Sequence, residues 1–228
     1  CALSDKIHAW KKYGFRFDTR SGKAEAHDNA ADTLTLSADS ILKRKNKRTA
    51  QELLFEMIGQ KWKGEEYILG YKPKTNEIYD IALNTQVGQK WPTKQWNLKN
   101  WDRLEDKLIR TGLKITRQDK YGKEYPKILT NLNDYMDWLN SCKIIASNDS
   151  LGLHLGIAMK KKVLGLFGAT PPSEVYFYGR GEAILPEKIP NCLPCLEGVC
   201  KRGRNCMEDI SIEKVYNKIM NYANSKIK

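Results

Sequence analysis

No stretch of this sequence is long and apolar enough for a membrane-spanning helix, which needs about 20 residues. No secretory signal pattern is visible, and neither an internal repeat nor a low-complexity tract is apparent. Hydrophobic residues still make up 41% of the 228 positions, so the chain can form a core. We therefore expect a folded cytoplasmic protein with one large domain, or with one complete domain and part of another.

Acidic residues are scarce relative to basic ones, with 27 Asp and Glu against 39 Lys and Arg. The net charge of +12 favours anionic partners such as nucleic acid, anionic lipid headgroups or phosphorylated substrates. The charge alone does not choose among these classes. The densest basic runs, residues 42–48 and 159–162, are interpreted as solvated loops and a helix end.

Of the six cysteines, Cys1 and Cys142 stand apart, and the other four crowd into fifteen positions with the spacing C-x2-C-x4-C-x5-C. Without a secretory signal the thiols are expected to stay reduced, which favours a metal site over disulfides. Four thiolates can hold a structural zinc ion, although the second pair is spaced more widely than in zinc fingers. Reduced packing cysteines or occasional disulfides remain the alternative for Cys192, Cys195, Cys200 and Cys206.

Strands alternate with helices from about residue 78 onward, whereas the first seventy residues are predicted to be helical and irregular. A capping box from Thr49 to Glu52 opens a helix in that first part, and residues 63–76 are predicted to form a linker. The alternation indicates right-handed crossovers and a parallel sheet. The predicted strands are 78–84, 113–116, 143–147 and 163–167, and the predicted helices are 98–110, 131–142, 150–159 and 211–224.

Ligands of parallel α/β sheets bind beyond the carboxyl ends of the strands. The informative loops are therefore those that follow Asn84, Ser147 and Phe167. In the first loop Lys90 and Lys94 can supply positive charge, and Trp91 and Trp96 provide apolar walls. A plain surface loop with aromatic anchors is the alternative interpretation.

The second loop leads into a helix that begins near Ser150, where free N–H groups and the helix dipole favour an anion. Asp149 can cap this helix, or its side chain can turn toward sugar hydroxyls. His154 is either a functional residue or a packed core histidine. In the third loop Gly168 and Thr170 suit a wall of the same crevice, unless the segment is an ordinary strand exit.

Together these segments resemble glycosyltransferase family 9, the heptosyltransferase family. In chain order the resembling stretches are GQKWPTKQW, NDSLGLHLGIAMKKKVLGLFGAT and the cysteine-rich segment from Cys192 to Met207. Their order and spacing agree with the family across roughly residues 80–215. The resemblance implies an α/β fold of GT-B type, in which two Rossmann-like domains face each other across a cleft.

The resemblance also implies a role for each candidate residue. Lys94 matches the lysine that neutralises the donor diphosphate, and Asp149 matches the aspartate that holds the donor sugar. His154 matches the signature histidine of the family. The phosphate-facing turn and the loop that lines the crevice correspond to Ser150, Leu151, Gly152, Gly168 and Thr170.

The sequence departs from the family pattern in three places. Leu151 stands where a glycine commonly falls, with Gly152 one position later. The usual FGPT is FGAT here. We find no match for the acidic residue that contacts the donor ribose, which we expect within residues 118–126.

By the resemblance, residues 1–77 form the remainder of an acceptor-side N-terminal domain. Residues 78–228 form one Rossmann-like domain that binds the nucleotide sugar and ends in a helix. The start of the N-terminal domain, with the Asp that serves the family as general base, is expected to lie outside this sequence. The 228-residue chain by itself is therefore expected not to catalyse transfer.

The implied reaction moves a heptose-like sugar from a nucleotide-diphosphate donor, such as ADP-heptose, to a lipid-linked glycan like the lipopolysaccharide core, with inversion. No cofactor is expected for the chemistry, and the only metal expected is the structural zinc. The basic surface is expected to contact the anionic inner-membrane face, and nucleic acid is not expected as a partner.

Two other functions remain open from the sequence. A nucleic-acid-binding protein with a cysteine-rich zinc module accounts for the charge and the cysteines, but not for the strand, turn and helix around Asp149. A non-catalytic nucleotide-sugar-binding fragment accounts for the strand-end motifs. Thermal stabilisation of the chain by nucleoside diphosphates would support the transferase or the fragment. Stabilisation by nucleic acid alone would support the nucleic-acid-binding protein.

Overall fold

The computed structural model describes residues 5–120 and 131–224. Two compact units share the described residues. The N-terminal unit comprises residues up to 65 together with 171–176, and the sheet unit comprises the described residues of 66–170 together with those from 177 onward. In the described part of the chain, no helix is both long and apolar enough to cross a membrane.

The N-terminal unit contains a β-hairpin that the sequence analysis did not predict. Strand β1, Phe15–Asp18, pairs antiparallel with β2, Lys23–Ala26. The turn is closed by the Gly22 amide, which donates to the Asp18 carbonyl at 2.9 Å, and Gly22 has a φ of +67°, a conformation that glycine adopts without steric cost. The prediction that this stretch is helical or irregular is therefore wrong for the hairpin.

Three short helices complete this unit: α1, Ala31–Ala38; α2, Ser40–Lys45; and α3, Ala50–Met57. The capping box predicted for α3 is confirmed. The Glu52 amide donates to the Thr49 hydroxyl at 3.2 Å, and the Glu52 carboxylate accepts from the Thr49 amide at 2.6 Å. The reciprocal bonds satisfy two backbone donors at the helix start, which fixes where α3 begins.

The sheet unit is built on five parallel strands in the order β4-β3-β5-β6-β7. The four predicted strands are confirmed, and the fifth, β7, was missed because four residues with one glycine give little strand signal. Gly181 opens β7 where a Cβ would collide with the Val163 carbonyl, so only glycine lets this strand pair. The strands are β3, Tyr79–Asn84; β4, Ile115–Arg117; β5, Cys142–Asn148; β6, Lys162–Leu166; and β7, Gly181–Ile184.

Four helices cover this sheet, as the sequence predicts. They are α4, Leu98–Ile109; α5, Leu132–Asn140; α6, Leu151–Ala158; and α7, Ile212–Asn224. On one face α4 and α7 pack against Ile81, Ile144 and Leu164 in the main hydrophobic core. On the other face α6 approaches so closely that a Cβ on Gly156 would lie 2.7 Å from Ile145 Cδ1. Alternate residues of the strands are thus buried on both faces, as in parallel α/β sheets generally.

Candidate functional site

The three strand-end loops singled out by the sequence meet at one place. Lys94, in the loop after β3, donates to Asp149 Oδ2 across 2.7 Å, and Asp149 directly follows β5. The Thr170 hydroxyl, in the loop after β6, donates to the same carboxylate oxygen. Because β3, β5 and β6 are adjacent, their carboxyl ends bring these three side chains together.

Lys94 is positioned by a single 3-10 turn, Pro92–Lys94, and by a buried anchor that follows it. The Trp96 amide donates to Asn148 Oδ1 at 3.1 Å, and the Asn148 side-chain amide donates to the Thr85 carbonyl at 2.7 Å. The end of β5 therefore holds both ends of the loop after β3. Trp96 itself is fully buried, which fixes the loop to the core.

The Lys94–Asp149 ion pair is mostly buried but keeps some contact with solvent. The Lys94 side chain is 18% exposed and that of Asp149 is 8% exposed. The ammonium group also lies 5.7 Å from the centroid of the Trp91 ring. An anion can therefore reach Lys94 in surroundings where charge interactions are stronger than in bulk water.

Asp149 does not cap the following helix. The N-cap of α6 is Ser150, and no side chain forms a capping hydrogen bond there. The Asp149 amide instead donates to the Leu166 carbonyl at 3.1 Å, which ties the residue to the end of β6. Its carboxylate contacts Lys94 and Thr170, so the helix-cap interpretation is wrong, and contact with sugar hydroxyls stays a prediction.

His154 completes the cluster from the first turn and a half of α6. Its Nε2 lies 3.8 Å from Asp149 Oδ1, and its side chain is 45% exposed, so it is not a packed core histidine. Loss of solvation lowers the pKa of His154, with Asp149 opposing the shift and Lys94 adding to it. The imidazole is therefore neutral near pH 7 and can both donate and accept a hydrogen bond.

A buried polar network beneath the start of α6 explains the glycine at position 152. Asn84 Nδ2 donates to the hydroxyls of Ser147, at 2.7 Å, and Ser150, at 2.9 Å, while the Tyr135 hydroxyl donates to Asn84 Oδ1. A Cβ on Gly152 would collide with both Tyr135 and Asn84. Burial raises the pKa of Tyr135 strongly, so its hydroxyl stays a donor. Sequence reasoning missed Asn84 and Tyr135 as site residues, although a polar residue at the end of a buried strand was a usable signal.

The remaining candidates in this region lie at the surface or against the cysteine-rich segment. Leu151 is exposed at the first position of α6, so the departure from the family glycine leaves its side chain in solvent. A Cβ on Gly168 would lie 2.7 Å from Met207 Sδ and 3.0 Å from Cys206 Sγ. Glycine is therefore required at position 168 by close packing of that segment.

The cysteine-rich segment bridges two of the site loops, a role that the sequence did not suggest. The Thr93 hydroxyl donates to the Glu197 carbonyl at 2.6 Å, and the Leu196 amide donates to the Ala169 carbonyl at 2.8 Å. Thr93 and Ala169 adjoin Lys94 and Thr170 in sequence. Residues 196–197 consequently set the spacing between the loops that meet at Asp149.

Of the four clustered cysteines, Cys192, Cys200 and Cys206 carry free thiols. Burial, and then the proximity of the other three thiols, raises the pKa of Cys206 to about 11. Cys200 Sγ donates to the Arg204 carbonyl at 3.1 Å. Within residues 5–120 and 131–224, no group of three or more His, Cys, Asp or Glu side chains is arranged to hold a metal ion. Metal binding by these cysteines therefore stays a prediction.

A second ion cluster lies at the end of β4, inside the stretch where we expected an acidic residue. Arg117 donates from Nε to Asp119 at 2.7 Å, and it also contacts Asp102 and Glu105. Asp119 accepts a further hydrogen bond from the Thr85 hydroxyl at 2.7 Å. Asp119 was not recognised from the sequence because its neighbours are basic, and residues 121–126 of that stretch lie outside the described residues.

The chain resembles known proteins in sequence and in fold. The sequence model of glycosyltransferase family 9 (heptosyltransferase) matches residues 126–205, which contain Asp149, His154 and Thr170. The predicted resemblance to glycosyltransferase family 9 is confirmed. Lys94 lies outside the matched range, so its place in the family site depends on its contact with Asp149.

Two curated relatives carry the name lipooligosaccharide heptosyltransferase 2. The one from Campylobacter jejuni is 30% identical over 81 residues, which is 35% of this chain and 25% of the relative. The one from Haemophilus influenzae is 24% identical over 132 residues, which is 50% of this chain and 36% of the relative. The matched part thus spans 25% and 36% of the length of these two relatives.

Among solved structures, the chain is similar to TibC of enterotoxigenic E. coli, described as an iron-containing dodecameric glycosyltransferase. The TM-score is 0.55 at 15% identity, over 74% of this chain and 51% of TibC. A TibC complex with ADP-D-beta-D-heptose gives a TM-score of 0.50 at 14% identity, over 76% and 53% of the two chains. The five-stranded parallel sheet and this likeness confirm the predicted α/β fold class of GT-B type, with one Rossmann-like domain.

Proposed function

We propose that this chain supplies the donor-binding part of a glycosyltransferase that takes a sugar from a nucleoside-diphosphate carrier. The observation that carries the proposal is the convergence of three strand-end loops on the Lys94–Asp149–Thr170 cluster, within a family 9 region. Residues 78–228 bind the donor, and residues 1–77 belong to the acceptor side.

Lys94 binds the donor diphosphate in this proposal. It is the partly exposed cation of the cluster, and it lies beside the start of α6, whose free amides also attract an anion. The ammonium has three N–H donors, so one can stay on Asp149 while the others reach phosphate oxygens. Ser150, Leu151 and Gly152 contribute backbone amides to the same anion.

Asp149 and His154 hold the sugar. The Asp149 carboxylate accepts hydrogen bonds from sugar hydroxyls, and the neutral His154 imidazole donates or accepts beside it. Thr170 orients the carboxylate through its hydroxyl, and Gly168 lets the loop after β6 pack against Met207 and Cys206. The second carboxylate, Asp119 at the end of β4, lies where nucleotide-binding folds place the acid that contacts a ribose.

The reaction needs positioning and charge stabilisation rather than a cofactor. The acceptor hydroxyl oxygen attacks the anomeric carbon, the bond from that carbon to the diphosphate breaks, and the hydroxyl proton passes to a base. Attack opposite the leaving group inverts the anomeric centre. Lys94 stabilises the negative charge on the departing nucleoside diphosphate.

The names of the relatives support an ADP-heptose-like donor and a lipid-linked glycan acceptor of the lipopolysaccharide core type. The TibC complex contains ADP-D-beta-D-heptose, which supports the same donor class. The net charge of +12 supports peripheral contact with an anionic membrane face, where such acceptors lie.

We also propose a structural metal ion at Cys192, Cys195, Cys200 and Cys206. All four thiols belong to one segment of fifteen residues. TibC is described as iron-containing, and a tetrathiolate suits iron as well as the zinc predicted from the spacing. Elemental analysis of the reduced chain should find about one metal per chain, lost in the Cys195→Ser/Cys200→Ser variant; a metal-free wild-type chain contradicts the proposal.

Calorimetric titration with ADP tests the donor site. Lys94→Ala should weaken binding by about 1.5–3 kcal/mol, since it removes a charge-assisted hydrogen bond. Lys99→Ala is the matched control, because Lys99 is an exposed lysine in the first turn of α4. Equal ADP affinities of wild type and Lys94→Ala would refute the assignment of Lys94 to the donor diphosphate. A chain that binds duplex DNA but does not bind ADP would favour the nucleic-acid alternative.

A further inference from the structure

The carboxylate of Asp149 lies against the cation that is proposed to bind the donor diphosphate. Lys94 Nζ is 2.7 Å from Asp149 Oδ2, and both side chains are mostly shielded from solvent. A phosphate oxygen that accepts from the same ammonium group must lie within about 6 Å of this carboxylate, because both hydrogen bonds share one nitrogen. Ligand binding therefore brings two negative groups close together.

Apart from Lys94, the groups near Asp149 do not offset the repulsion between its carboxylate and the phosphate. Thr170 donates a neutral hydroxyl to Asp149 Oδ2, and the nearby His154 side chain lies 3.8 Å from Oδ1. The guanidinium of Arg117 is already used by three carboxylates at the end of β4. Lys94 and Asp149 together thus contribute no net charge toward an incoming anion.

Donor and product differ in charge and in shape. The terminal phosphate of a free nucleoside diphosphate has a second ionisation with a pKa of about 6, which the sugar linkage abolishes, so the product carries about one more negative charge near pH 7.5. A carboxylate beside Lys94 therefore opposes the product more strongly than the donor. The donor additionally brings sugar hydroxyls that can donate to the carboxylate.

We propose that Asp149 is a specificity-determining counter-charge that weakens binding of the bare nucleoside diphosphate relative to the sugar-bearing donor, and so promotes product release. The inference rests on the proposed function, because it requires a diphosphate at Lys94. It adds a second role to Asp149, since contact with the sugar alone would leave the affinity for the bare nucleoside diphosphate unchanged.

The test is calorimetric titration of the full 228-residue chain and its Asp149→Asn variant with ADP and with ADP-D-beta-D-heptose. Asparagine keeps the shape and an oxygen acceptor for Thr170 but removes the charge. ADP should bind the variant roughly tenfold more tightly or better, because juxtaposed like charges oppose binding strongly. The gain should be smaller for the sugar-bearing ligand, so the preference for donor over product falls.

Asp80→Asn is the matched control, because Asp80 pairs with Lys143 at the amino end of β3, away from the site. Unchanged or weaker ADP binding by a folded Asp149→Asn variant would overturn the inference. If that variant unfolds, Asp149→Ser removes the same charge, and the same outcomes apply. Lys94→Ala separates the donor-site assignment from the counter-charge role. If Lys94→Ala weakens ADP binding while neither Asp149 variant strengthens it, the donor site is supported and the counter-charge role is refuted.

Discussion

Two ion clusters at the carboxyl ends of neighbouring strands differ in how many carboxylates surround the cation and in how far that cation is exposed. At the end of β4, Arg117 is 2% exposed and contacts three carboxylates. In the loop after β3, Lys94 is 18% exposed and pairs with the single carboxylate of Asp149. The charge of Arg117 is fully used inside the fold, whereas Lys94 keeps donors and access for a ligand.

The largest effect is expected from removing the positive charge of the cluster around Arg117. Arg117→Met keeps much of the side-chain volume but removes the cation that pairs with the mostly buried Asp119 and one of the two cations that pair with Glu105. The free energy of unfolding should fall by about 3 kcal/mol, the low end for breaking a buried ion pair, because the carboxylates keep some solvent contact. Chemical denaturation measures this loss.

Lys120→Met is the control for that experiment, because Lys120 contacts two of the three carboxylates, Asp102 and Glu105, from an exposed position. The free energy of unfolding of Lys120→Met should fall by no more than about 1 kcal/mol, as for exposed ion pairs generally. Equal losses in the two variants would show that burial does not distinguish Arg117 from its exposed neighbour.

A second change tests how the Lys94–Asp149–Thr170 cluster is positioned, without removing any of its charges. Thr93→Val deletes the hydrogen bond to the Glu197 carbonyl, which holds the Lys94 loop to the cysteine-rich segment. ADP affinity should fall by about 1 kcal/mol, the usual worth of a neutral hydrogen bond, with Thr93→Ser restoring it. If Thr93→Val changes only the unfolding midpoint, the segment stabilises the fold but does not position Lys94.

The smallest expected effect concerns His154, a half-exposed residue beside the Lys94–Asp149–Thr170 cluster. Its pKa lies below 6.5 in the folded state, so the folded chain binds fewer protons than the unfolded one. Its contribution to stability is therefore present above pH 6.5 and declines as the pH falls toward the lowered pKa. The drop in unfolding midpoint between pH 7.5 and pH 5.5 should be smaller in His154→Gln; an equal drop would contradict this.

Much of the sheet unit could be predicted from local patterns. Apolar periodicity gave α4, α5, α6 and α7, and continuous apolar runs gave β3, β5 and β6. The hairpin of β1 and β2 was missed because its strands have only four residues each, too few for a period to show. β7 was missed for the same reason, since its position depends on glycine at 181 rather than on a pattern.

The candidate site was only partly predictable. Lys94, Asp149 and Thr170 could be grouped, because parallel strands bring their carboxyl ends to one edge. The bridge from Thr93 to Glu197 spans 104 positions, and no local signal connects two such distant segments. Likewise, nothing near Asn84 indicates that Tyr135 and Gly152 close around its side chain.

The sequence by itself determined which segments form the parallel sheet of this protein and which loops carry polar and cationic residues, because hydrophobic periodicity and strand-end chemistry are local properties. Only the tertiary structure decided that Asp149 faces Lys94 rather than capping α6, and that Arg117 is neutralised while Lys94 remains accessible. Those outcomes depend on burial and on distances between segments far apart in the chain, and both are fixed only when the strands pair and the helices pack.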